Sequence, residues 1–250
     1  LAHAIMGILP ENSKTKGSIK YYNDELNEKY LRKVRGKDIA FIPQSVDFLD
    51  PLMKVGKQVV GINGNKERQK EVFKKYNLDD KVAEMYPFQL SGGMARRVLI
   101  ATAVMNEAKL IIADEPTPGL NLELAMETLN NFREIADSGC GVLLITHDVD
   151  LALNVADRIA VFYSGTIVEI AQVEDFIKGK DALRHPYSKA FIDALPQNKF
   201  KELPGYQPYA GNLPKGCLFR DRCSLKTDEC CMEIKMRKVR DGEVRCINAT

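Results

Sequence analysis

Leu90-Ser91-Gly92-Gly93-Met94 and, further on, Lys109-Leu110-Ile111-Ile112-Ala113-Asp114-Glu115-Pro116 are the two stretches whose reading decides the fold. In the first, a serine and two glycines open an apolar helix. Glycine lets a backbone come close to a ligand, and the free N–H groups of a helix start favour an anion. In the second, a short apolar run reads as a buried strand and ends in two adjacent carboxylates. Open α/β sheets bind ligands at the carboxyl ends of their strands, so Asp114 and Glu115 stand where chemistry is expected. Singly, each stretch has an ordinary explanation: serine is a common helix cap, and carboxylates at a strand end are often merely solvated. Their order and spacing carry the information.

Around them, short apolar strands at 38–42, 110–113, 142–145, 158–162 and 166–170 alternate with helices at 26–34, 94–104, 122–136 and 150–155. That alternation predicts a mostly parallel sheet covered on both faces. Gln44 lies just past the first of these strands, and Thr146-His147-Asp148 follows the third. Residues 52–104 differ in character, with a loop at 61–65 and charged helices at 66–76 and 79–85, and read as a helical insertion. Residues 1–10 read as a short apolar helix stopped by Pro10.

The 250 residues are 45% hydrophobic and 28% charged, the composition of a globular protein. A net charge of +2 gives no electrostatic case for nucleic acid. No run approaches the roughly 18 apolar residues that a membrane span needs, so any membrane role is expected to be peripheral.

Taken together, Ser91-Gly92-Gly93, Asp114-Glu115, Gln44 and His147 resemble the signature loop, Walker B strand, glutamine loop and switch histidine of ATP-binding-cassette (ABC) ATPases. The resemblance implies an α/β, P-loop NTPase-type ABC nucleotide-binding domain with a helical subdomain at about 52–104, using ATP and Mg²⁺. Asp114 would hold Mg²⁺ through water, and Glu115 would polarise the attacking water. Gln44 would contact both the Mg²⁺ and that water, and His147 would donate to the γ-phosphate. Phosphoryl transfer asks for a neutralised triphosphate and an oriented nucleophile more than for covalent help. Ser91, Gly92 and Gly93 would reach across a head-to-tail dimer to ATP held by a second ABC ATPase subunit. No G-x-x-x-x-G-K-[ST] phosphate loop occurs in the sequence. The ATPase domain, 1–180, is therefore expected to lack its N-terminal strands and Walker A, and to be inactive as this piece alone. Asn121 departs from the family's usual aspartate, which suggests a weakened, asymmetric site.

Residues 181–250 carry His185-Pro186-Tyr187-Ser188, Leu203-Pro204-Gly205 and Pro214-Lys215-Gly216-Cys217. These resemble the Cys-rich C-terminal extension of the oligopeptide/dipeptide/nickel branch of ABC importers. The implied function is ATP-driven import of di- or oligopeptides, or of nickel, at the cytoplasmic face of the cell membrane. The implied partners are two transmembrane permease subunits and an extracytoplasmic solute-binding protein. A catalytically impaired subunit that completes another ATPase's site is one alternative, and a non-transport ABC ATPase the other. Cys217, Cys223, Cys230 and Cys246, spaced C-x5-C-x6-C-x15-C, would suit a [4Fe–4S] cluster of the kind some members of the branch carry. Reduced thiols packed in a small subdomain are the alternative. A loop-rich tail without a core of its own is expected to be stapled through cysteine. The basic residues Arg220, Arg222, Lys226, Lys235, Arg237, Lys238 and Arg240 read as a solvated face, or one turned to anionic lipid or a partner.

Overall fold

The computed structural model describes residues 1–61 and 64–249; residues 62–63, within the loop expected at 61–65, lie outside the described residues. The chain forms two compact units, Leu1–Leu151 and Ala152–Thr250.

The first unit runs α1 (Ala2–Met6), β1 (Lys20–Tyr21), β2 (Asp24–Glu25), α2 (Glu28–Val34), β3 (Ile39–Ile42), α3 (Val55–Val60), α4 (Lys66–Lys75), α5 (Gly92–Val104), β4 (Leu110–Asp114), α6 (Leu122–Asp137) and β5 (Gly141–Ile145). Helix α7 (Val149–Val155) crosses into the second unit. Strands β3, β4 and β5 form a parallel sheet in that order, as their continuous apolar runs predict. Ile39, Ile42, Ile112 and Ala113 are fully buried in it. Ala2, Met6 and Val34 from α1 and α2 close over Ile39 and Ile112. Each isoleucine, valine or methionine among them contributes about 1.5–3 kcal/mol by leaving water. The register sets Ile42 beside Ala113 and Asp114 beside Ile145. The three carboxyl ends therefore finish level, and the segments bearing Gln44, Glu115 and His147 all leave from one end of the sheet.

Between β3 and β4 the chain is helical, as expected, although 79–85 is a 3₁₀ turn, Asp80–Glu84, started by the Asp79 carboxylate accepting from the Lys81 N–H. Two polar side chains lock this region. Buried Gln69 donates to the Gly56 carbonyl at 2.7 Å. Arg97 of α5 donates to the carbonyls of Tyr76 and Asn77 just past α4, at 3.2 and 2.7 Å, satisfying groups a helix end leaves open.

The second unit contains β6 (Arg158–Tyr163), β7 (Thr166–Gln172), α8 (Val173–Lys178), α9 (Pro186–Ala194), β8 (Arg237–Val239) and β9 (Gly242–Val244). Its sheet is antiparallel, in the order β6-β7-β9-β8, so the strands at 158–162 and 166–170 do not extend a parallel sheet. The cause is local. Ser164 and Gly165, with φ of 48° and 79°, form a tight turn with both central residues left-handed, the geometry that joins antiparallel strands. Because β7 pairs with β9, the segment 158–172 groups with the tail, in the compact unit that begins at Ala152.

Tyr163, Val168, Phe176, Leu183, Ile192 and Phe219 build this unit's core. Fully buried Glu169 accepts from the N–H groups of Arg184 and His185, both at 2.8 Å, and pairs with the Arg184 guanidinium, which also bonds Asp175. Guanidinium groups, not disulfides, tie the loops. Arg222 donates to the carbonyls of Leu203 and Pro204, both at 2.8 Å. Arg237 reaches those of Cys246 and Ile247, at 3.0 and 2.9 Å. All six cysteines are free thiols. Arg222 and Arg237, read as part of a solvated face or one turned to lipid or a partner, also serve the backbone, Arg237 while remaining exposed, because an irregular chain must find donors for its carbonyls.

Candidate functional site

Glu115 and His147 meet directly: His147 Nδ1 lies 2.7 Å from Glu115 Oε1. Strand β4 ends at Asp114, and Glu115 turns out of it with φ of 49°, a left-handed conformation uncommon outside glycine. Its N–H still donates to Ile145 O, at 2.9 Å, so the kinked residue stays tied to β5. The Glu115 side chain is 15% exposed, and its Oε2 is buried without a hydrogen-bond partner. His147 stands out in solvent. Its pKa is raised above the ordinary 6.5, first by the hydrogen bond to Glu115 and then by that carboxylate's charge. The segment beyond is fixed by the Asp148 N–H donating to Thr146 Oγ1 and by the Asp148 carboxylate accepting from the Leu151 N–H.

Asp114 is half-buried at the end of β4, level with Ile145. Gln44 is exposed just beyond β3. Ser91 caps α5, its hydroxyl accepting from the Met94 N–H at 3.3 Å. A Cβ placed on Gly93 would come 3.7 Å from Gly119 O, so the start of α5 lies against the loop that follows Glu115. A Cβ on Gly92 would meet nothing, which leaves that backbone open to an outside group. Asn121 has a local duty: its side chain accepts from the Leu124 N–H at 2.9 Å and caps α6. Asparagine and aspartate are equivalent in that role, so the departure at Asn121 needs no impaired site to explain it.

Arg96 was not anticipated. It is 7% exposed on α5 and donates to the Pro43 carbonyl, the residue before Gln44, at 3.0 Å. The one signal in the sequence was the Arg96-Arg97 pair on an otherwise apolar helix. Arg97 is absorbed by the carbonyls of Gly93, Tyr76 and Asn77.

The four thiols expected to hold a cluster all lie in the second unit. They are near enough for Cys217, Cys223 and Cys230 each to push up the pKa of Cys246, which burial chiefly carries to about 11. Burial likewise raises Cys217 and Cys223. Yet among the described residues no three or more His, Cys, Asp or Glu side chains are placed to hold a metal ion. Cys217 and Cys223 pack against the apolar core, and Cys230 and Cys246 are buried. The [4Fe–4S] expectation finds no support among the described residues.

The family description "ABC transporter" matches residues 1–118, and "Oligopeptide/dipeptide transporter, C-terminal region" matches residues 168–230. The oligopeptide transport ATP-binding protein OppD of Haemophilus influenzae is 31% identical over 265 residues, covering 98% of this chain and 81% of that protein. The dipeptide transport ATP-binding protein DppD of the same organism is 32% identical over 266 residues, covering 97% and 80%. A solved dimeric ATP-binding cassette in a post-hydrolysis state, bound to ADP and Pi, superposes with a TM-score of 0.57 at 26% identity, over 64% of this chain and 74% of that one. With both halves matched and the relatives aligned along nearly its whole length, the chain belongs to the ABC transporter family, in the group that carries the oligopeptide/dipeptide transporter C-terminal region.

Proposed function

We propose that this chain is the ATP-binding and hydrolysing subunit that energises import of di- or oligopeptides by a membrane transporter. The observation that carries the reading is the Glu115–His147 pair at the end of β4, with Glu115 Oε2 buried and left without a partner. A buried carboxylate oxygen without a donor is costly unless something supplies one. The water that attacks ATP is the natural donor, and Glu115 is its general base. His147, exposed and raised toward its protonated form, is placed to donate to the γ-phosphate. Asp114 and Gln44 offer hard oxygens from neighbouring strand ends, which fits Mg²⁺, an ion held by one or two protein oxygens with water and phosphate completing the shell. Bound Mg²⁺ neutralises the triphosphate.

A second ATPase subunit is implied by the exposed Ser91 and the open approach to Gly92, which suit a partner's nucleotide. The related cassettes solved as dimers agree with this. Phe48, Leu52 and Phe88 are exposed, Leu52 by 88%, on the Gln44 loop and the helical region, and offer apolar surface for permease subunits. No helix among the described residues is long and apolar enough to cross a membrane, so the permease would supply the path. The subunit would then work at the cytoplasmic face, with a solute-binding protein delivering cargo from outside. The relatives described above are named for peptides and lend nickel no support. Reconstitution of the full subunit with its permease and binding protein tests the reading. ATP-dependent uptake of labelled peptide is expected; uptake of Ni²⁺ without peptide, or of neither, would overturn it.

A further inference from the structure

Arg96 joins parts of the site that the family assignment leaves separate. Among the buried residues of α5 it stands in apolar company: Ala95, Val98, Leu99, Ile100, Ala101 and Ala103. Taking a guanidinium out of water is expensive unless its donors are used and its charge is answered. One donor is used, on the Pro43 carbonyl that immediately precedes Gln44. Its Nε is buried with no partner, and so is Glu115 Oε2. The opposing charge comes from Glu115, which favours the guanidinium cation against the burial that disfavours it. Arg96 therefore bonds the Gln44 segment directly, and the Glu115 carboxylate is near enough to act on its charge. Arg96 does so from a helix whose first residues, Gly92 and Gly93, follow the Ser91 cap.

We propose that Arg96 is a positioning residue for ATP hydrolysis, a buried fixed cation that ties the Gln44 segment to α5 and acts through its charge on the nearby carboxylate of Glu115. The inference deepens the ATPase reading and rests on it. It makes α5 a rigid link: its exposed start would meet the partner's nucleotide, while its next turn sets the base and the glutamine segment of its own site. Arginine suits the task because its guanidinium can donate to a carbonyl while never losing its proton, so its charge stays fixed. Arg96 touches no reacting atom, so its effect belongs in turnover more than in ATP affinity.

The test compares Arg96→Gln, Arg96→Lys and Glu115→Gln in the full-length subunit within its assembled transporter, measuring kcat and KM for ATP. Glutamine retains a donor for the Pro43 carbonyl but removes the cation; lysine retains the cation. Arg96→Gln is expected to lower kcat about 10- to 100-fold, the scale of a sub-ångström misplacement, with KM changed less than about twofold. Arg96→Lys is expected to recover kcat to within about threefold of the parent. Parent-like kcat in Arg96→Gln, an equal loss in both variants, or a rise in KM alone would overturn the inference. Should Arg96→Gln fail to fold by circular dichroism, Arg96→Lys carries the test, and a loss beyond about tenfold overturns it. Glu115→Gln separates the two levels. If it retains full turnover, the ATPase reading itself falls; if it is inactive while Arg96→Gln is parent-like, only the positioning role falls.

Discussion

Glu115 pays locally for its place. A glutamate at φ of 49° is held in a region that costs on the order of 1–3 kcal/mol outside glycine, and it persists because the surroundings fix it. Here those surroundings are the bond from its N–H to Ile145 O and its contact with His147. The composition of this site was legible from residue types at strand ends, and so was the side of the sheet on which it lies. Arg96 was not, because burial of a charged side chain is decided by which face of α5 the chain packs inward. His185 is a second buried polar residue, 1% exposed, whose Nδ1 accepts from the Tyr187 N–H at 3.0 Å. Burial lowers its pKa from 6.5 to about 4. The unfolded chain therefore binds a proton between pH 6.5 and 4 that the folded chain refuses. The resulting stability is full above pH 6.5 and is lost as pH falls toward 4. Between pH 7.5 and 5 this amounts to about 2 kcal/mol. Urea denaturation at the two pH values should show that loss in the parent and not in His185→Asn, which retains a capping acceptor. Equal pH dependence in both would contradict it.

At the scale of elements, strands with four or more apolar residues and helices with clear periodicity were read within a residue or two. The exceptions have physical causes. The 3₁₀ turn Asp80–Glu84 carries helical composition but is too short to propagate i→i−4 bonding. Strands β8 and β9 are short, so no alternation identifies them, and they exist because β7 offers an edge. The helix at 1–10 ends at Met6, before Pro10 is reached. The loops of the second unit pack backbone against backbone. Gly216 has φ of 80°, and a Cβ there would lie 2.2 Å from the Cys230 carbonyl oxygen and 2.8 Å from that of Met232. Neither neighbour is a flexible side-chain tip that could swing aside. Gly216→Ala is therefore expected to destabilise the protein by more than about 2 kcal/mol, read as a lowered denaturation midpoint. A midpoint within error of the parent would contradict the close approach.

At the scale of the whole molecule, the two halves of the chain solve different problems. The first unit buries continuous apolar strands and leaves one sheet end free for chemistry, a pattern that composition and spacing disclose directly. The second encloses a core of Tyr163, Phe176, Leu183 and Phe219 under irregular loops, and satisfies their carbonyls with Arg222 and Arg237. Nothing in the spacing of those arginines announces this, since each partner carbonyl is distant in sequence and defined only by the fold. The cysteine spacing suggests a ligand set, whereas the fold shows these side chains packed at or near the core, where burial raises the pKa of Cys217, Cys223 and Cys246. The proposed function turns on the carboxylate of Glu115 acting on water beside bound ATP. Single-turnover cleavage of ATP by the assembled transporter, parent against Glu115→Gln, with bound nucleotide measured in the same samples, tests that claim most directly. The account predicts retained ATP binding with cleavage slowed about 10²- to 10⁴-fold; cleavage at the parent rate would contradict it.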